Sequence, residues 1–165
     1  MGHWDSVVAM LARDLVERYP TVRLDDDAVA AARILTEQNR PGLIVVDDRS
    51  HPVAVLPAAQ VLRLVIPGYL RDDPNLAGVV DQDFIDHMCD ALEGTTVRAL
   101  LPSERSRLPV AAPDDSVLEV AAVMAAERVP LVVVVDGGGG SAPLVGVVTV
   151  GPVLAALLPR RLTDR

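Results

Sequence analysis

The sequence predicts an α+β fold that contains one structural unit twice. Helical and extended apolar patterns occur in the same order in the two halves of the 165-residue chain. Each half also ends in a short apolar strand that turns directly into a helix, at residues 54–62 and again at residues 146–154. Repetition of a whole pattern over this length indicates that one supersecondary unit is used twice.

The composition indicates a folded protein with an aliphatic core, and it excludes several functions. Half of the residues are hydrophobic but only 2% are aromatic, so Val, Leu, Ile and Ala must fill the core. The net charge of −8 would repel a phosphate backbone, so we expect no nucleic-acid partner. All 15 basic residues are arginines, which excludes a P-loop lysine and a Schiff-base lysine.

The sequence also predicts a cytoplasmic protein that does not enter a membrane. Cys89 is the single cysteine, so no internal disulfide can form. The first residues lack the basic region and apolar run of a signal peptide. The most apolar segment, residues 144–158, is interrupted by Gly146, Gly151 and Pro152 and is shorter than the roughly 20 residues that span a bilayer.

The first half is predicted to alternate helices and strands. Aspartates at 25–27 suit the positive end of a helix dipole, Pro41 interrupts the chain, and Pro57 fits the first turn of a helix, where its missing N–H costs nothing. The predicted elements are, in order, a helix over 6–18 with Ser6 as its N-cap, a strand over 21–24, a helix over 28–38, a hairpin of strands over 43–46 and 53–56, and a helix from 57 to about 66.

The middle segment, residues 69–96, breaks the pattern and is predicted to add one helix. Residues 72–75 are predicted as a loop, and Asp81 is predicted to cap a helix over 82–92 that ends before Gly94. Asp83, His87 and Asp90 share one face of this helix. They are either a metal site or the solvated side of an amphipathic helix, and the apolar opposite face favours the second interpretation.

The second half repeats the order of the first. Ser116 and Glu119 have capping-box spacing, and Pro152 again falls in the first turn of a helix. The predicted elements are a helix over 97–101, a strand over 108–111, a helix over 117–128, strands over 131–136 and 144–148 joined by a glycine-rich loop, and a final helix that ends at Pro159.

The repeated order predicts how each unit folds. The short first strand can pair beside the hairpin, because the intervening helix supplies a right-handed crossover. A three-stranded sheet covered on one side leaves apolar surface, so we expect the two units to pack sheet to sheet with a cleft between them.

Each half resembles a CBS motif, and the whole chain resembles a tandem CBS pair, or Bateman module. The features that carry the resemblance are the acid-led helix after a short strand, the two apolar strands that end in Asp47 and Asp136, and the Gly-Val-Val-Thr corner at 146–149. The resemblance covers residues 12–66 and 97–158. It implies two β-α-β-β-α motifs related by pseudo-two-fold symmetry, with an extra inter-motif helix. The expected divisions are 1–68, 69–96, 97–160 and a tail over 161–165.

The resemblance implies a regulatory module that is not an enzyme, and no catalytic set is visible in the sequence. Such pairs commonly bind adenine nucleosides or nucleotides between the motifs and often form homodimers. The candidate ligands are adenosine, AMP, ATP and S-adenosylmethionine. In the first half, the positions that match ligand contacts are Pro20, Thr21, Val22, Pro41, Gly42, Leu43, Pro57 and Gln60. In the second half they are Leu108, Pro109, Val110, Val129, Pro130, Leu131, Thr149 and Pro152.

The sequence departs from the nucleotide-binding pattern at both corners. The family's pattern places an Asp after the corner hydroxyl to accept ribose hydroxyls, but Gln60 and Pro152 occupy that position here. Thr149 keeps the hydroxyl, which either contacts a ligand or caps the next helix. The positions where phosphate-binding members carry a basic residue are Gly42 and Leu131.

These departures favour an adenosine-like ligand over a polyphosphate. Arg40 and Arg128 either take the place of the missing basic residue or are solvated residues at the ends of helices. The leading hypothesis is a sensor whose shape or dimer state, altered by the ligand, is read by a partner protein. The alternative is a scaffold for dimerisation or protein interaction that binds no ligand.

Overall fold

The computed structural model describes residues 10–79, 82–102, 107–137 and 141–158. The helices are α1 (Ala12–Leu15), α2 (Ala28–Glu37), α3 (Ala58–Val65), α4 (Gly68–Asp72), α5 (Gln82–Met88), α6 (Val97–Leu100), α7 (Val117–Glu127) and α8 (Val150–Leu157), with 3₁₀ turns at Pro74–Val79 and Cys89–Leu92. The strands are β1 (Thr21–Arg23), β2 (Gly42–Val46), β3 (Pro52–Pro57), β4 (Val110–Ala111), β5 (Leu131–Val135) and β6 (Leu144–Thr149).

The strands form two three-stranded sheets, which confirms the predicted α+β class. The strand orders are β1-β2-β3 and β4-β5-β6. In each sheet the first strand runs parallel to the second, with Val22 beside Val45 and Val110 beside Val133. The crossover helices α2 and α7 make these parallel pairs possible, because parallel neighbours need a long connection. β5 and β6 are an antiparallel hairpin, as the sequence predicts.

The crossover helices begin at the side chains that the sequence indicates. The Asp27 carboxylate accepts a hydrogen bond of 2.9 Å from the backbone N–H of Ala30. Ser116 and Glu119 form the expected capping box at the start of α7. The pKa of Glu119 is lowered from its ordinary value of 4.5, first by the hydrogen bond from the Ser116 backbone N–H and then by the one from the Ser116 hydroxyl.

The described residues form two compact units that are discontinuous in sequence. The first-repeat unit contains residues 20–47 and 54–102, and the second-repeat unit contains residues 10–19, 48–53 and 107–158. Each short helix that precedes a repeat therefore belongs to the unit built on the other repeat. The division at 1–68, 69–96, 97–160 and 161–165 follows sequence order and stays a prediction.

Matching hydrogen bonds hold these two lead helices, α1 and α6. In the second-repeat unit, Ala12 N–H donates to the carbonyl of Asp115 at 2.8 Å, and the Arg13 guanidinium pairs with Asp114. In the first-repeat unit, Val97 N–H donates to the carbonyl of Asp26 at 2.9 Å. Arg98 correspondingly pairs with Asp25 at 3.0 Å. Each unit thus holds, in the same way, the lead helix that precedes the other repeat in the sequence.

Each unit has an aliphatic core, as the composition predicts. The first-repeat core contains Val22, Ala28, Ala31, Leu35, Leu43, Val45, Leu56, Val61, Leu92, Val97 and Leu100. The second-repeat core contains Ala12, Ala111, Val117, Val120, Met124, Val132, Val134, Val148 and Val153. Each core includes a residue of the exchanged lead helix, so docking of that helix is part of the folded core.

The predicted helix over 6–18 is wrong at its C-terminal end. Residues 6–9, including Ser6, lie outside the described residues, and α1 covers only Ala12–Leu15. Val16 is extended, with φ −65° and ψ 134°, and Glu17 forms an antiparallel bridge with Val147. Backbone groups of Glu17 find partners at the edge of β6, and this pairing replaces further helical turns.

Three other expectations need correction. Residues 72–75, predicted as a loop, contain the end of α4 and the start of a 3₁₀ turn. The predicted helix over 82–92 changes to a 3₁₀ turn at Cys89, and its predicted cap, Asp81, lies outside the described residues. Pro57 lies just before α3 in an extended conformation (φ −67°, ψ 143°), not inside its first turn. Pro152, by contrast, lies within the first turn of α8, as predicted.

In the described part of the chain, no helix reaches the length and apolarity that crossing a lipid bilayer requires.

Candidate functional site

The second-repeat site lies at one end of its sheet, where β4 and β5 begin and β6 ends. The carbonyl of Pro109, just before β4, accepts a 2.9 Å hydrogen bond from Val133 N–H. The carbonyl of Pro130, just before β5, accepts a 2.9 Å hydrogen bond from Val150 N–H at the first residue of α8. These bonds bring the three predicted contact segments of this repeat to a single edge of the sheet.

Thr149 is the polar centre of this edge. It is the last residue of β6 and lies opposite Leu131 in the β5–β6 hairpin. Its hydroxyl makes no capping hydrogen bond to α8, so of the two roles left open for it the helix cap is wrong. Instead, Thr149 Oγ1 donates to Glu17 Oε1 at 3.0 Å, and both side chains are partly buried.

Glu17 reaches this edge because its own backbone extends the sheet. Its N–H donates to the carbonyl of Val147 at 2.9 Å, and its carbonyl accepts from Val147 N–H at 3.0 Å. Directly opposed residues in antiparallel pairs project to the same face, and so does a residue two positions along. The side chains of Glu17, Val147 and Thr149 therefore share one face of the sheet, opposite the face that carries Val148 in the core.

Gly146 is what permits the segment before β1 to pack here. A Cβ at this position would lie 2.6 Å from the carbonyl oxygen of Glu17 and 2.7 Å from Cγ2 of Val16. Atoms cannot approach so closely, so any side chain would displace the segment. The glycine in the Gly-Val-Val-Thr corner thus makes room for the segment that carries Glu17.

The other predicted contacts of the second repeat surround this edge with apolar groups. Leu131 and Pro109 are buried, and Pro152 is exposed at the third position of α8, where its ring offers no hydrogen-bond acceptor. Leu108, Val110 and Val129 are partly buried, and Pro130 is exposed.

The first-repeat site has the same backbone arrangement. The carbonyl of Pro20 accepts from Ile44 N–H at 3.2 Å, and the carbonyl of Pro41 accepts from Ala58 N–H at 2.9 Å. Gly42 packs tightly there, since an added Cβ would lie 2.9 Å from the carbonyl oxygen of Leu56. The structure therefore brings the three segments of the first repeat together as well.

The side chains at this edge differ from those in the second repeat. Pro57 occupies the position of Thr149, and Gln60 is partly buried on α3. Val22 and Leu43 belong to the hydrophobic core, and Thr21 is exposed. Among the predicted contacts of this repeat, only Gln60 and the exposed Thr21 carry polar side chains.

The alternative of a metal site on Asp83, His87 and Asp90 gains no support within the described residues, and Asp90 lies in the 3₁₀ turn that follows α5. Asp83, His87 and Asp90 are exposed, and Nδ1 of His87 lies 2.5 Å from the carbonyl oxygen of Asp83. In this part of the chain, no three His, Cys, Asp or Glu side chains are grouped as metal ligands. The arrangement is that of a solvated helix face.

Glu17 is the site residue that the sequence analysis missed. It falls within the predicted helix over 6–18, where a glutamate resembles any other solvated residue. The available signal was Pro20, which ends the predicted helix and disfavours helical conformation in the residue before it. That signal does not identify the strand edge on which the segment packs.

Comparisons with known proteins agree on one family. A family model described as the CBS domain matches residues 97–158. A CBS domain-containing protein of unknown function from Kribbella flavida is 46% identical, with 88% of this chain and 97% of that chain covered and a TM-score of 0.77. No curated protein matches the chain significantly.

Two further crystal structures share the fold. The CBS domain of a CBS domain-containing membrane protein from Sphaerobacter thermophilus is 26% identical, with 94% of this chain and 93% of that chain covered and a TM-score of 0.73. CBSX2 in complex with AMP is 21% identical, with 89% of this chain and 95% of that chain covered and a TM-score of 0.62.

Proposed function

The chain belongs to the family of CBS-domain proteins, and from this premise we propose that it is a regulatory module that binds an adenosine-type ligand at the second-repeat site. The observation that carries the proposal is the Thr149–Glu17 hydrogen bond at the edge where β4 and β5 begin and β6 ends. A partly buried polar pair among apolar residues is the composition of a small-molecule site, in which a few polar groups fix the orientation of the ligand.

The fold comparison supports the ligand class. CBSX2, which shares the fold, was crystallised with AMP. In this chain, Leu131 stands where phosphate-binding relatives carry a basic residue, and the Glu17 carboxylate would repel a phosphate. The net charge of −8 adds to that repulsion. Uncharged adenosine therefore fits the site better than AMP or ATP.

Signalling to a partner protein completes the proposal. A ligand changes the balance between two states only through different affinities for them, and a separate protein can read the resulting shape or dimer state. The module acts in the cytoplasm, in agreement with its single Cys89, and it performs regulation, not catalysis.

We further propose that the module acts as a homodimer through α8. This helix contains no charged residue, and Val150 and Leu154 are exposed on it at a spacing of four residues, with Leu158 exposed just after its end. Leu154 as a whole residue is 49% exposed to solvent. A helix that is apolar on its exposed side as well as its buried side fits an interface between protein chains.

Thermal shift and isothermal titration calorimetry with adenosine, AMP, ATP and S-adenosylmethionine test the function. We expect adenosine to bind most tightly and to stabilise the fold by about 2.7 kcal/mol at a concentration 100 times the dissociation constant. If none of the four ligands binds, the sensor function is wrong and the protein is a ligand-free scaffold, the role favoured by Pro57 and Pro152 at the two corners.

A further inference from the structure

We propose that Glu17, delivered by the segment before β1, is the acceptor for the ribose hydroxyls of the ligand in the second-repeat site. This inference rests on the proposed function and assigns a specificity-determining residue to it. Glu17 lies more than 90 positions before Pro109 in the sequence, yet it belongs to the same compact unit.

The backbone of Glu17 is fixed independently of its side chain. Both of its backbone groups bond to Val147, whose side chain is fully buried. Gly146 leaves the space that the segment occupies. A substitution of the Glu17 side chain therefore leaves the segment docked, which allows the role of the carboxylate to be tested by itself.

The carboxylate has the chemistry that ribose recognition needs. Thr149 Oγ1 donates to Oε1 at 3.0 Å and orients the group at the end of β6. An ionised carboxylate has two oxygens with about four acceptor positions, so more than one hydroxyl can donate to it at the same time. Hydrogen bonds to a charged acceptor are about twice as strong as those between neutral groups.

The position after the corner cannot supply this acceptor. Pro152 is exposed and has no polar side-chain atom. The carboxylate of Glu17, which accepts a hydrogen bond from the Thr149 hydroxyl, is an acidic group at this edge that can replace the acceptor missing at Pro152. The ligand chemistry that fits is therefore a nucleoside with free 2′ and 3′ hydroxyls.

The first repeat lacks the same pair. Helices α1 and α6 are the corresponding lead helices, so the second residue after each is Glu17 in one case and Pro102 in the other. Pro57 correspondingly stands in place of Thr149. Both members of the polar pair are prolines there, and the inference is confined to the second repeat.

The test compares adenosine with 2′-deoxyadenosine and 3′-deoxyadenosine by calorimetry on the full chain. For the unsubstituted protein, we expect adenosine to bind about tenfold more tightly than either deoxynucleoside, because each analogue lacks one hydrogen bond to a charged acceptor. In Glu17→Gln we expect adenosine affinity to fall about tenfold and the preference over the deoxynucleosides to shrink.

Two further variants control the experiment. Glu93→Gln removes the same charge from an exposed position outside both candidate sites and should leave affinity and preference unchanged. Glu17→Asp keeps the charge and should retain part of the preference, which makes the test independent of any loss of stability in Glu17→Gln. Melting temperatures without ligand verify folding of each variant.

The outcomes separate the two proposals. If adenosine binds but Glu17→Gln keeps both affinity and preference, the role of Glu17 is overturned and the proposed function stands. If adenosine does not bind to the unsubstituted protein, the proposed function fails and the role of Glu17 fails with it.

Discussion

The two strand-to-helix corners share a backbone but not a chemistry. In both, the carbonyl of a proline before the middle strand accepts from the first N–H of the following helix, at 2.9 Å. In the second repeat the corner ends in Thr149, which bonds to Glu17. In the first repeat the corner ends in Pro57. Backbone hydrogen bonds thus maintain the fold of both copies, while of the two residues that end the corners only Thr149 carries a polar side chain.

The segment that packs against the second corner is a further difference between the two repeats. Val16 and Glu17 occupy the space left by the absent side chain of Gly146. Ala54 holds the equivalent position in the first repeat, where its own methyl group packs against the core. The two repeats therefore share one scaffold, and in the second Gly146 leaves the space that Val16 and Glu17 occupy.

The largest expected effect concerns the final helices of the two repeats. Substitution Leu154→Glu on α8 should raise the dissociation constant of the homodimer by about 100-fold or more. A buried leucine contributes about 1.5–3 kcal/mol, and a two-fold interface contains it twice. Analytical ultracentrifugation over a range of concentrations measures this change.

Two matched variants sharpen that comparison. Leu62→Glu on α3 should have a smaller effect, because its neighbours Ala58 and Ile66 are partly buried and Arg63 is adjacent. Leu118→Glu on α7 changes a leucine that is 58% exposed and should leave the dimer intact. A protein that is monomeric at all concentrations would refute the dimer.

Gly146→Ala should break the special packing of the second corner. The new Cβ meets backbone at Glu17, so the segment must move, and we expect a loss of about 1–3 kcal/mol of unfolding free energy. Urea denaturation measures the change. Gly151→Ala is the control, because a Cβ there has no atom within 4 Å and alanine favours the helix by up to about 1 kcal/mol. Equal stabilities for the two variants would contradict the packing role of Gly146.

The Gly-Val-Val-Thr corner also shows how much of the fold could be predicted from the sequence. Apolar runs, turn residues and caps act locally, so the order of strands, the crossover helices and the capping box at Ser116 could all be predicted. The repeat then identified Gly146 and Thr149 as parts of a corner. The exchange of lead helices could not be predicted, because it depends on which of two similar surfaces each short helix contacts.

The same limit applies to the candidate site. Contacts within one repeat, such as the hydrogen bond from Val150 N–H to the carbonyl of Pro130, join segments that the strand pattern places close together. The partner of Thr149 is 132 positions away in sequence, and no periodicity connects the two residues. The hydroxyl was therefore assigned to a ligand or to a helix cap, and its carboxylate partner was missed.

Ligand stoichiometry tests whether the polar difference decides binding. We expect about one adenosine per chain by calorimetry, bound at the second repeat. Thr149→Val removes the hydrogen bond that orients Glu17 and should weaken binding about fivefold to tenfold, in line with a contribution of about 1 kcal/mol. Pro57→Thr should not create a second site, because Pro102 stands where the other repeat has Glu17. Two equivalents per unsubstituted chain would contradict this assignment.

The smallest expected effect distinguishes the caps of the two crossover helices. In the second repeat, Ser116 N–H and the Ser116 hydroxyl both donate to the Glu119 carboxylate, which lowers the pKa of Glu119 from 4.5 in the folded protein. A lowered folded-state pKa means that the unfolded chain takes up the proton first. The contribution is therefore complete at neutral pH and is lost as the pH falls below about 4.5, through the lower folded-state pKa.

A double-mutant cycle isolates this contribution. Urea unfolding at neutral pH should show a loss of about 1 kcal/mol in Ser116→Ala, the usual value for an N-cap. Glu119→Gln should remove the part of the loss of unfolding free energy that Glu119 causes below pH 4.5. Because the two residues bond reciprocally, the double variant should lose less than the sum of the single variants. Additive losses would mean that the capping box does not act as a unit. Helix α7 would then begin as α2 does, where a single side chain, that of Asp27, accepts from Ala30 N–H.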